Sequence, residues 1–472
     1  MLEALEHKVF GAVSEVTNET GIKAYVVGGF VRDIFLKRPS KDVDFTVVGD
    51  GIEFAKAVAA KLGESSNVNV FKNFGTAMIK SGDWDIEFVG ARKESYQLES
   101  RKPTVIPGTF EDDLSRRDLT INTLAISLNT DNHGELIDVY GGINDLQDKI
   151  IRTPLAPGIT FSDDPLRMMR AIRFATQLNF SMHPDTLNGI KENANRLDIV
   201  SSERITDELN KIIMTHKPSI GLGLMSDTGL LPRVLPELEL LHGSETIDGL
   251  SHKDNFYHTL QVLDNLCKES DDLWLRWSAI LHDIAKPQTK RFIPGEGWTF
   301  HGHEDKGSRM VKGIFKRLRL PLNDKMKFVE KMVLLHLRPI VLSQEIVTDS
   351  AVRRLIFDAG NDITSLLMLC RADITSKNEN KVAKFIKNLR IVEDKIKDVE
   401  ERDRMRNWQP PIDGTRIMEL FQITEGRNIG TLKNALREAI LDGEIGNSSE
   451  DALAFVLKKG KEMGLNPIPD AE

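Results

Sequence analysis

The hydrophobic and polar residues show two different periodic patterns along the chain. Up to about residue 150, amphipathic helical stretches alternate with strand-like runs such as Ala24–Val27 and the alternating segment Val43–Val48. Beyond Pro157, helical spacing dominates and is interrupted by short Pro and Gly breaks. The pattern predicts a mixed α/β head followed by a largely helical remainder.

Two further breaks divide the helical part. Prolines and glycines cluster between Leu231 and Asp254, and the sequence Trp408-Gln409-Pro410-Pro411 follows a charged stretch at 393–406. Acids and bases are interleaved in that stretch, which indicates a solvated helix. We therefore expect four segments, at residues 1–152, 153–235, 236–392 and 393–472.

Composition narrows the class of protein. A chain of 472 residues with 40% hydrophobic and 28% charged residues fits a folded protein of several domains. The net charge of −8 argues against a general polyanion-binding surface, so a nucleic-acid site must concentrate its Lys and Arg locally. The start of the chain lacks a signal-peptide pattern, and no apolar run approaches the ~20 residues of a membrane span. The two cysteines are too few for a disulfide framework, which indicates reduced thiols. These features predict a cytoplasmic protein without a membrane segment.

A glycine pair follows the first strand. The run Ala24–Val27 leads into Gly28-Gly29 and a predicted helix from Phe30 to Leu36, an arrangement that brings backbone N–H groups close to a phosphate. Taken alone, an ordinary glycine turn is the simpler interpretation.

The next strand carries two acids at alternate positions. Asp42 and Asp44 are predicted to share one face while Val43 and Phe45 face the core. Carboxylates held this close repel unless cations lie between them, and oxygen ligands favour Mg²⁺. Glu87, between apolar neighbours on a later strand, is a further candidate ligand. The alternative is an exposed face of an edge strand.

A family resemblance begins here. The segment GGFVRDIFLKRPSKDVDFTVVG, from Gly28 to Gly49, resembles the first signature of the DNA polymerase beta superfamily, in the form seen in class II tRNA nucleotidyltransferases (CCA-adding enzymes) and bacterial poly(A) polymerases. It implies an α+β multidomain fold with a nucleotidyltransferase head, an all-α neck, an HD-type helical body and a helical tail that contacts tRNA. It also implies catalytic roles for Asp42, Asp44 and Glu87 with Mg²⁺, and nucleotide binding by Gly28, Gly29 and Arg32.

Arginines and acids recur in a second motif. The run from Arg116 to Asn122, RRDLTIN, resembles the family motif that contacts the sugar and phosphates of the incoming nucleotide. The resemblance assigns that role to Arg116, Arg117, Asp118 and Asn122. Two guanidinium groups beside an acid are able to clamp phosphate oxygens, although a surface ion-pair cluster is an equal interpretation of the local sequence.

A third motif predicts base selection. Asp164 precedes Pro165, a helix-start signal, and Arg167 follows one turn later. The family usually has Glu before this Asp, so Asp163 is a departure. The resemblance implies that Asp164 and Arg167 read the base, with Arg170 and Arg173 also binding the nucleotide, and that Glu203 and Arg204 brace this helix. Alternatively, Asp164 only caps the helix and pairs with Arg167.

The helical body contains spaced histidines. His258, the pair His282-Asp283 and Asp373 resemble the ligand pattern of HD phosphohydrolases, and His303 and His336 lie in the same region. Such side chains from separate helices are able to hold one or two divalent metals. The alternative is a degenerate HD fold that has kept its helices and lost its metal.

The resulting functional prediction is CCA addition to the 3′ end of tRNA from CTP and ATP, with Mg²⁺ in the head and a possible further divalent metal in the HD body. A poly(A) polymerase or a partial enzyme that adds only CC or only A shares the head motifs. Two other classes stay open: an HD phosphohydrolase with an inactive head, and a non-catalytic RNA-binding protein.

Overall fold

The chain folds into two compact units, Met1–Glu239 and Leu240–Glu472. The structure, a computed structural model, describes residues 5–63, 68–71, 75–97, 100–343, 348–376, 378–403 and 408–468. The predicted α+β multidomain class is confirmed, since a mixed sheet is confined to the start of the first unit and helices make up most of the rest. The finer division into four segments stays a prediction.

The first unit opens with a seven-stranded sheet in the order β3-β4-β5-β2-β1-β8-β9, and β6 and β7 pair as a separate hairpin. The strands are β1 (Ala24–Val27), β2 (Asp42–Val47), β3 (Val68–Phe71), β4 (Thr76–Ser81), β5 (Trp84–Gly90), β6 (Arg92–Gln97), β7 (Ser100–Pro107), β8 (Ala125–Ser127) and β9 (Leu136–Ile137). The accompanying helices are α1 (Lys8–Thr20), α2 (Gly29–Phe35), α3 (Gly51–Leu62), α4 (Phe110–Ser115) and α5 (Gly142–Asp148).

Aromatic packing fixes the central strands. Phe45 of β2 stacks on Phe88 of β5 with ring centroids 4.8 Å apart, and Phe10 and Phe54 pack against this pair from α1 and α3. Because side chains alternate along a strand, burying Phe45 and its neighbour Val43 directs the intervening residues to the opposite face. This core therefore orients the acids of β2.

Helices complete the first unit. They are α6 (Pro157–Asp163), α7 (Leu166–Leu178), α8 (Pro184–Asn193), α9 (Ser202–Ile213), α10 (Pro218–Asp227), α11 (Leu231–Val234) and α12 (Pro236–Glu239), with the short parallel pair β10 (Ile150–Ile151) and β11 (Ser181–Met182). Met168, Met169 and Ile172 of α7 are fully buried, so α7 is a rigid part of the core.

The second unit is almost entirely helical. Its helices are α13 (Asn255–Leu266), α14 (Leu273–Leu281), α15 (Lys286–Thr289), α16 (His303–Arg317), α17 (Asp324–Leu335), α18 (Leu337–Leu342), α19 (Asp349–Ala359), α20 (Ile363–Asp373), α21 (Glu379–Asp403), α22 (Gly414–Phe421), α23 (Arg427–Asp442) and α24 (Ser449–Glu462). Two hairpins accompany them: β12 (Thr246–Ile247) with β13 (Leu250–Ser251), and β14 (Arg291–Ile293) with β15 (Gly297–Thr299).

Residues 393–403 of the charged stretch are helical as predicted, at the end of α21, and its last three residues lie outside the described part of the chain. Val392, Ile396 and Val399 bury one face of α21. No helix in the described part of the chain has the length and apolar character of a membrane span.

Candidate functional site

The glycine turn lies directly beside the acids of β2. Val27 is the antiparallel partner of Asp44, so Gly28 leaves the sheet next to that carboxylate. Gly28 has φ +76°, and a Cβ there would lie 3.0 Å from a guanidinium nitrogen of Arg117 and 3.6 Å from Oδ2 of Asp44. The left-handed backbone and this close approach together require glycine.

Asp42 and Asp44 share one face of β2. Both line the same cavity, while Val43 and Phe45 are buried on the other side, so the predicted common face is confirmed. In the parallel register between β2 and β5, Glu87 is the partner of Asp44. All three predicted acids therefore lie on neighbouring strand positions.

These carboxylates are electrostatically crowded. Burial raises the pKa of Asp44 above its ordinary value and Asp42 adds to the rise, although Arg117 opposes it. Burial likewise raises the pKa of Glu87, and Asp44 adds to it. A bound cation would reverse these shifts, since it favours the ionised form. An all-oxygen donor set fits Mg²⁺.

The cavity in front of these acids measures about 620 Å³, within the range of small-molecule sites. Seven arginines and four aspartates are among its described lining residues. The lining residues are Gly28, Gly29, Arg32, Asp42, Asp44, Arg116, Arg117, Asp118, Asn122, Asp164, Leu166, Arg167, Arg170, Arg173, Phe174, Gln177 and Arg204. All predicted nucleotide-binding residues are in this set, whereas Glu87 is outside it.

Two of the arginines are held by an acid that the sequence analysis missed. The fully buried Asp113 of α4 accepts hydrogen bonds from Nε of Arg116 at 3.0 Å and from Arg117 at 3.2 Å. It also accepts the hydroxyl of Thr46 at 2.8 Å, which ties α4 to β2. The three- and four-residue spacing from Asp113 to the arginines is the helical signal that identifies it.

A second network joins the head to α7. Asp118 accepts hydrogen bonds from Arg170 at 2.7 Å and from Asn122 at 3.0 Å. Asn122 in turn accepts one from Arg32 at 2.8 Å. Burial opposes ionisation of Asp118, but Arg170 and Asn122 outweigh it and lower its pKa to about 2. Arg32, Asp118 and Arg170 are therefore fixed before a ligand arrives.

Glu208 of α9 is another acid that was not among the predicted site residues. It accepts a hydrogen bond from Arg173 at 2.6 Å and pairs with Lys211 at 3.1 Å. The same Arg173 lies over the ring of Phe174, 4.0 Å from its centroid. Arg173 and Glu208 are 35 positions apart, so their contact depends on the packing of α7 against α9 and has no local sequence signal.

Asp164 lies in the break between α6 and α7. It accepts the backbone N–H of Leu166 at 3.1 Å, and its other oxygen accepts Arg204 at 3.0 Å. Arg167 instead donates to the carbonyl of Thr160 at 3.2 Å. The expected bracing by Arg204 is confirmed as a contact. Of the alternative interpretation, the capping contact of Asp164 is observed, whereas Arg167 bonds to Thr160 and not to Asp164.

The second unit brings its predicted ligands together. Nε2 of His258 is 2.9 Å from Asp373, and Nε2 of His282 is 3.2 Å from Asp283. Asp283 is 2% exposed and also pairs with Lys286 at 2.6 Å. Burial opposes ionisation of Asp283, but His282 and Lys286 hold its pKa well below the ordinary value. These nitrogen and oxygen donors, on separate helices, are a set that divalent metals accept.

Comparison with known proteins agrees with this geometry. Family models match residues 24–152 (poly A polymerase head domain), 179–241 (probable RNA and SrmB-binding site of polymerase A) and 255–378 (HD domain). A Deinococcus radiodurans protein named A-adding tRNA nucleotidyltransferase is 30% identical over 450 residues, which cover 93% of this chain and 96% of that protein. The chain belongs to the tRNA nucleotidyltransferase family. This family assignment confirms the resemblance drawn from the motifs.

Two other relatives of this tRNA nucleotidyltransferase carry related names. A multifunctional CCA protein of Stenotrophomonas maltophilia is 34% identical over 314 residues, covering 64% of this chain and 72% of that protein. A solved structure of a tRNA nucleotidyltransferase with a primer tRNA and an incoming ATP analog is 25% identical and superposes with a TM-score of 0.57, covering 82% of this chain and 99% of that one. The likeness therefore extends over the head and most of the helical part.

The Asp118 network predicts a pH dependence of stability in this nucleotidyltransferase. The folded-state pKa of about 2 is below the ordinary 3.8, so the ionised carboxyl contributes stability above pH ~4 that is lost as pH falls toward 2. The contribution is about 2 kcal/mol. We expect Asp118→Asn to lower the free energy of unfolding by about that much near pH 6, with the difference from wild type shrinking toward pH 2.

Urea unfolding followed by circular dichroism between pH 2 and 6 measures this difference. Asp185→Asn, at the exposed start of α8, is the matched control and should follow the wild-type curve. A gap that stays constant over the whole pH range would contradict the assignment.

Proposed function

We propose that this protein completes the 3′ CCA sequence of tRNA from CTP and ATP, without a nucleic-acid template. The observation that carries the proposal is the doubled acid of β2 facing a cavity lined by seven arginines. A nucleoside triphosphate is a small polyanion, and its phosphates need both cations and fixed guanidinium groups. The names of the D. radiodurans relative and of the S. maltophilia CCA protein support tRNA as the acceptor.

The proposed reaction needs no protein nucleophile. The 3′-oxygen of the tRNA forms a bond to the α-phosphorus, and the bond to the β-phosphate breaks so that pyrophosphate leaves. Asp42 and Asp44 hold Mg²⁺, with Glu87 as a supporting acid on β5. Mg²⁺ supplies charge neutralisation at the α-phosphate and the leaving group when it is bound. Arg116, Arg117 and Arg32 bind and orient the phosphates.

Base choice is assigned to Asp164 and Arg167. Cytosine and adenine each present an amino donor beside a ring-nitrogen acceptor, which a carboxylate and a guanidinium complement. Uracil and guanine reverse that pattern and leave donor facing donor. The contacts of Asp164 with Leu166 and Arg204 keep its carboxylate in place at the cavity wall, with lone pairs left for a base.

A second candidate function is addition of the terminal A alone. It is favoured by the name of the D. radiodurans relative, an A-adding tRNA nucleotidyltransferase, which aligns with nearly the whole chain. A poly(A) polymerase is the third outcome that the head motifs allow. The RNA end that is extended and the length of the product distinguish these three functions.

The decisive assay extends two defined tRNAs, one ending before CCA and one ending in CC, with CTP and ATP. CCA synthesis adds three nucleotides to the first and one to the second. An A-adding enzyme extends only the second, and a ladder of A residues without C would indicate a poly(A) polymerase. We expect Asp42→Asn and Asp44→Asn to slow extension by at least about 100-fold, since each removes a charge that the transition state needs. Asp83→Asn, an exposed acid paired with Lys41, is the control and should retain activity.

Removal of the base-reading carboxylate has a separate expected effect. Asp164→Ala should raise incorporation of UTP relative to CTP by about 10- to 100-fold, because the site loses the acceptor that selects the amino group. Single-nucleotide extension with each triphosphate measures this ratio. Asp185→Ala is the control. An unchanged preference for CTP in Asp164→Ala would contradict the assignment of Asp164 to base selection.

A further proposal concerns the HD centre. His258, His282, Asp283 and Asp373 hold a divalent metal, and the centre hydrolyses phosphate esters such as 2′,3′-cyclic phosphates. The convergence of these buried and partly buried donors supports it over a degenerate fold. Lys286, which pairs with Asp283, adds a positive charge that attracts the phosphate group of a substrate.

Hydrolysis of a 2′,3′-cyclic nucleotide with added Mg²⁺, Mn²⁺ or Ni²⁺ tests this proposal. Asp283→Asn should abolish it, whereas Asp42→Asn should leave it unchanged because that acid belongs to the head. His301→Ala, which removes an exposed histidine, is the matched control. Wild-type protein that shows no hydrolysis with any of these metals would refute the proposal.

A further inference from the structure

The aromatic ring of Phe174 is a contact shared by three arginines. Phe174 belongs to α7, is 6% exposed and lines the cavity of the head. The guanidinium carbons of Arg173, Arg32 and Arg170 lie 4.0, 4.9 and 5.7 Å from the centroid of its ring. These distances are within the ~6 Å range of cation–π attraction, which acts between a positive charge and the negative face of an aromatic ring. A single side chain therefore attracts three of the seven arginines that line this cavity.

Two of these arginines come from different helices. Arg32 is on α2, directly after the glycine turn, whereas Arg170 is on α7. A chain of hydrogen bonds joins Arg32 to Arg170 through Asn122 and Asp118. The ring of Phe174 is a second link between the same two side chains. The positions of the two guanidinium groups are therefore set both by hydrogen bonds and by the ring.

Positive charges that surround one ring repel each other. Burial lowers the pKa of Arg173 below its ordinary value, and Arg170 adds to the lowering, although Glu208 opposes it. Asp118 accepts a hydrogen bond from Arg170 and Glu208 accepts one from Arg173, so each acid holds one member of the pair. The ring of Phe174 attracts both guanidinium groups at once and offsets part of their repulsion.

We infer that Phe174 is a positioning residue for the nucleoside triphosphate, because its ring holds Arg32, Arg170 and Arg173 in one group that binds the phosphates. This role rests on the proposed nucleotide-binding function of the cavity and does not depend on which nucleotide is added. The ring acts through the arginines and makes no bond to the phosphates. Its contribution is to keep three charges together before the ligand arrives, which lowers the ordering cost of binding.

Replacement of the ring tests this role. Phe174→Leu retains an apolar side chain and removes the negative face of the ring. We expect it to weaken binding of ATP and of inorganic tripolyphosphate by about 10-fold, measured by isothermal titration calorimetry on full-length protein with Mg²⁺. Phe180→Leu is the matched control, since Phe180 is also buried, lies just beyond the end of α7 and is outside the described lining of the cavity. It should bind both ligands as the wild type does.

Fluorination of the ring separates electrostatic attraction from packing. Phenylalanine with one, two or three ring fluorines, incorporated at position 174, has a weaker negative face and nearly the same size. Affinity for tripolyphosphate should fall stepwise along this series. In extension of a tRNA that ends in CC, the KM for ATP should rise by the same factor while kcat stays within about 2-fold of wild type, because the arginines hold the phosphates alike in the ground state and the transition state.

Constant affinity along the fluorinated series, or equal weakening in Phe180→Leu, would overturn the inference and leave Phe174 as a packing residue. Weaker binding of ATP with unchanged binding of tripolyphosphate would also overturn it, because the ring would then act on the base. Wild-type protein that binds both ligands and extends no tRNA would contradict the proposed function and leave the role of Phe174 intact. Wild-type protein that binds neither ligand would overturn both.

Discussion

Repulsion between neighbouring carboxylates is the constraint on which the head depends. The sheet core needs Val43 and Phe45, so Asp42 and Asp44 are forced onto one face, where Glu87 adds a third acid from the adjacent strand. Burial makes this crowding more costly because the local dielectric is low. A site of this kind is stable in its ionised form only with cations in front of it, and the surrounding arginines supply part of that charge.

Those arginines are held by neighbouring acids, of which Asp113 and Glu208 are outside the set of cavity-lining residues and Asp118 is within it. Asp113 fixes Arg117, Asp118 fixes Arg170, and Glu208 fixes Arg173. An unpaired arginine side chain would lose conformational entropy each time a triphosphate binds, whereas one already ordered by a salt bridge loses little. Asp113 and Glu208 therefore favour binding without lining the cavity themselves.

Local sequence patterns predicted the strand, the glycine turn and the face of Asp42 and Asp44, because alternation along a strand is set by neighbouring residues. The roles of Asp113 and Glu208 were missed for two different reasons. Asp113 had a helical spacing to its arginines that went unused, while Glu208 reaches Arg173 only through the packing of α7 against α9. In the second unit the motif predicted His258 and Asp373 as ligands, but the 3.3 Å approach of His303 and His336 depends on how α16 packs against α17.

The candidate metal sites of the two units differ in the atoms that they offer as ligands. In the head the candidate ligands Asp42, Asp44 and Glu87 offer only oxygen, which suits Mg²⁺, an ion that usually keeps several of its own waters. In the second unit His282 and its neighbours offer mainly nitrogen, which binds transition metals more tightly than Mg²⁺ at the same concentration. Metal type would therefore distinguish the two candidate centres, with Mg²⁺ at the oxygen donors of the head and a transition metal at the nitrogen-rich set.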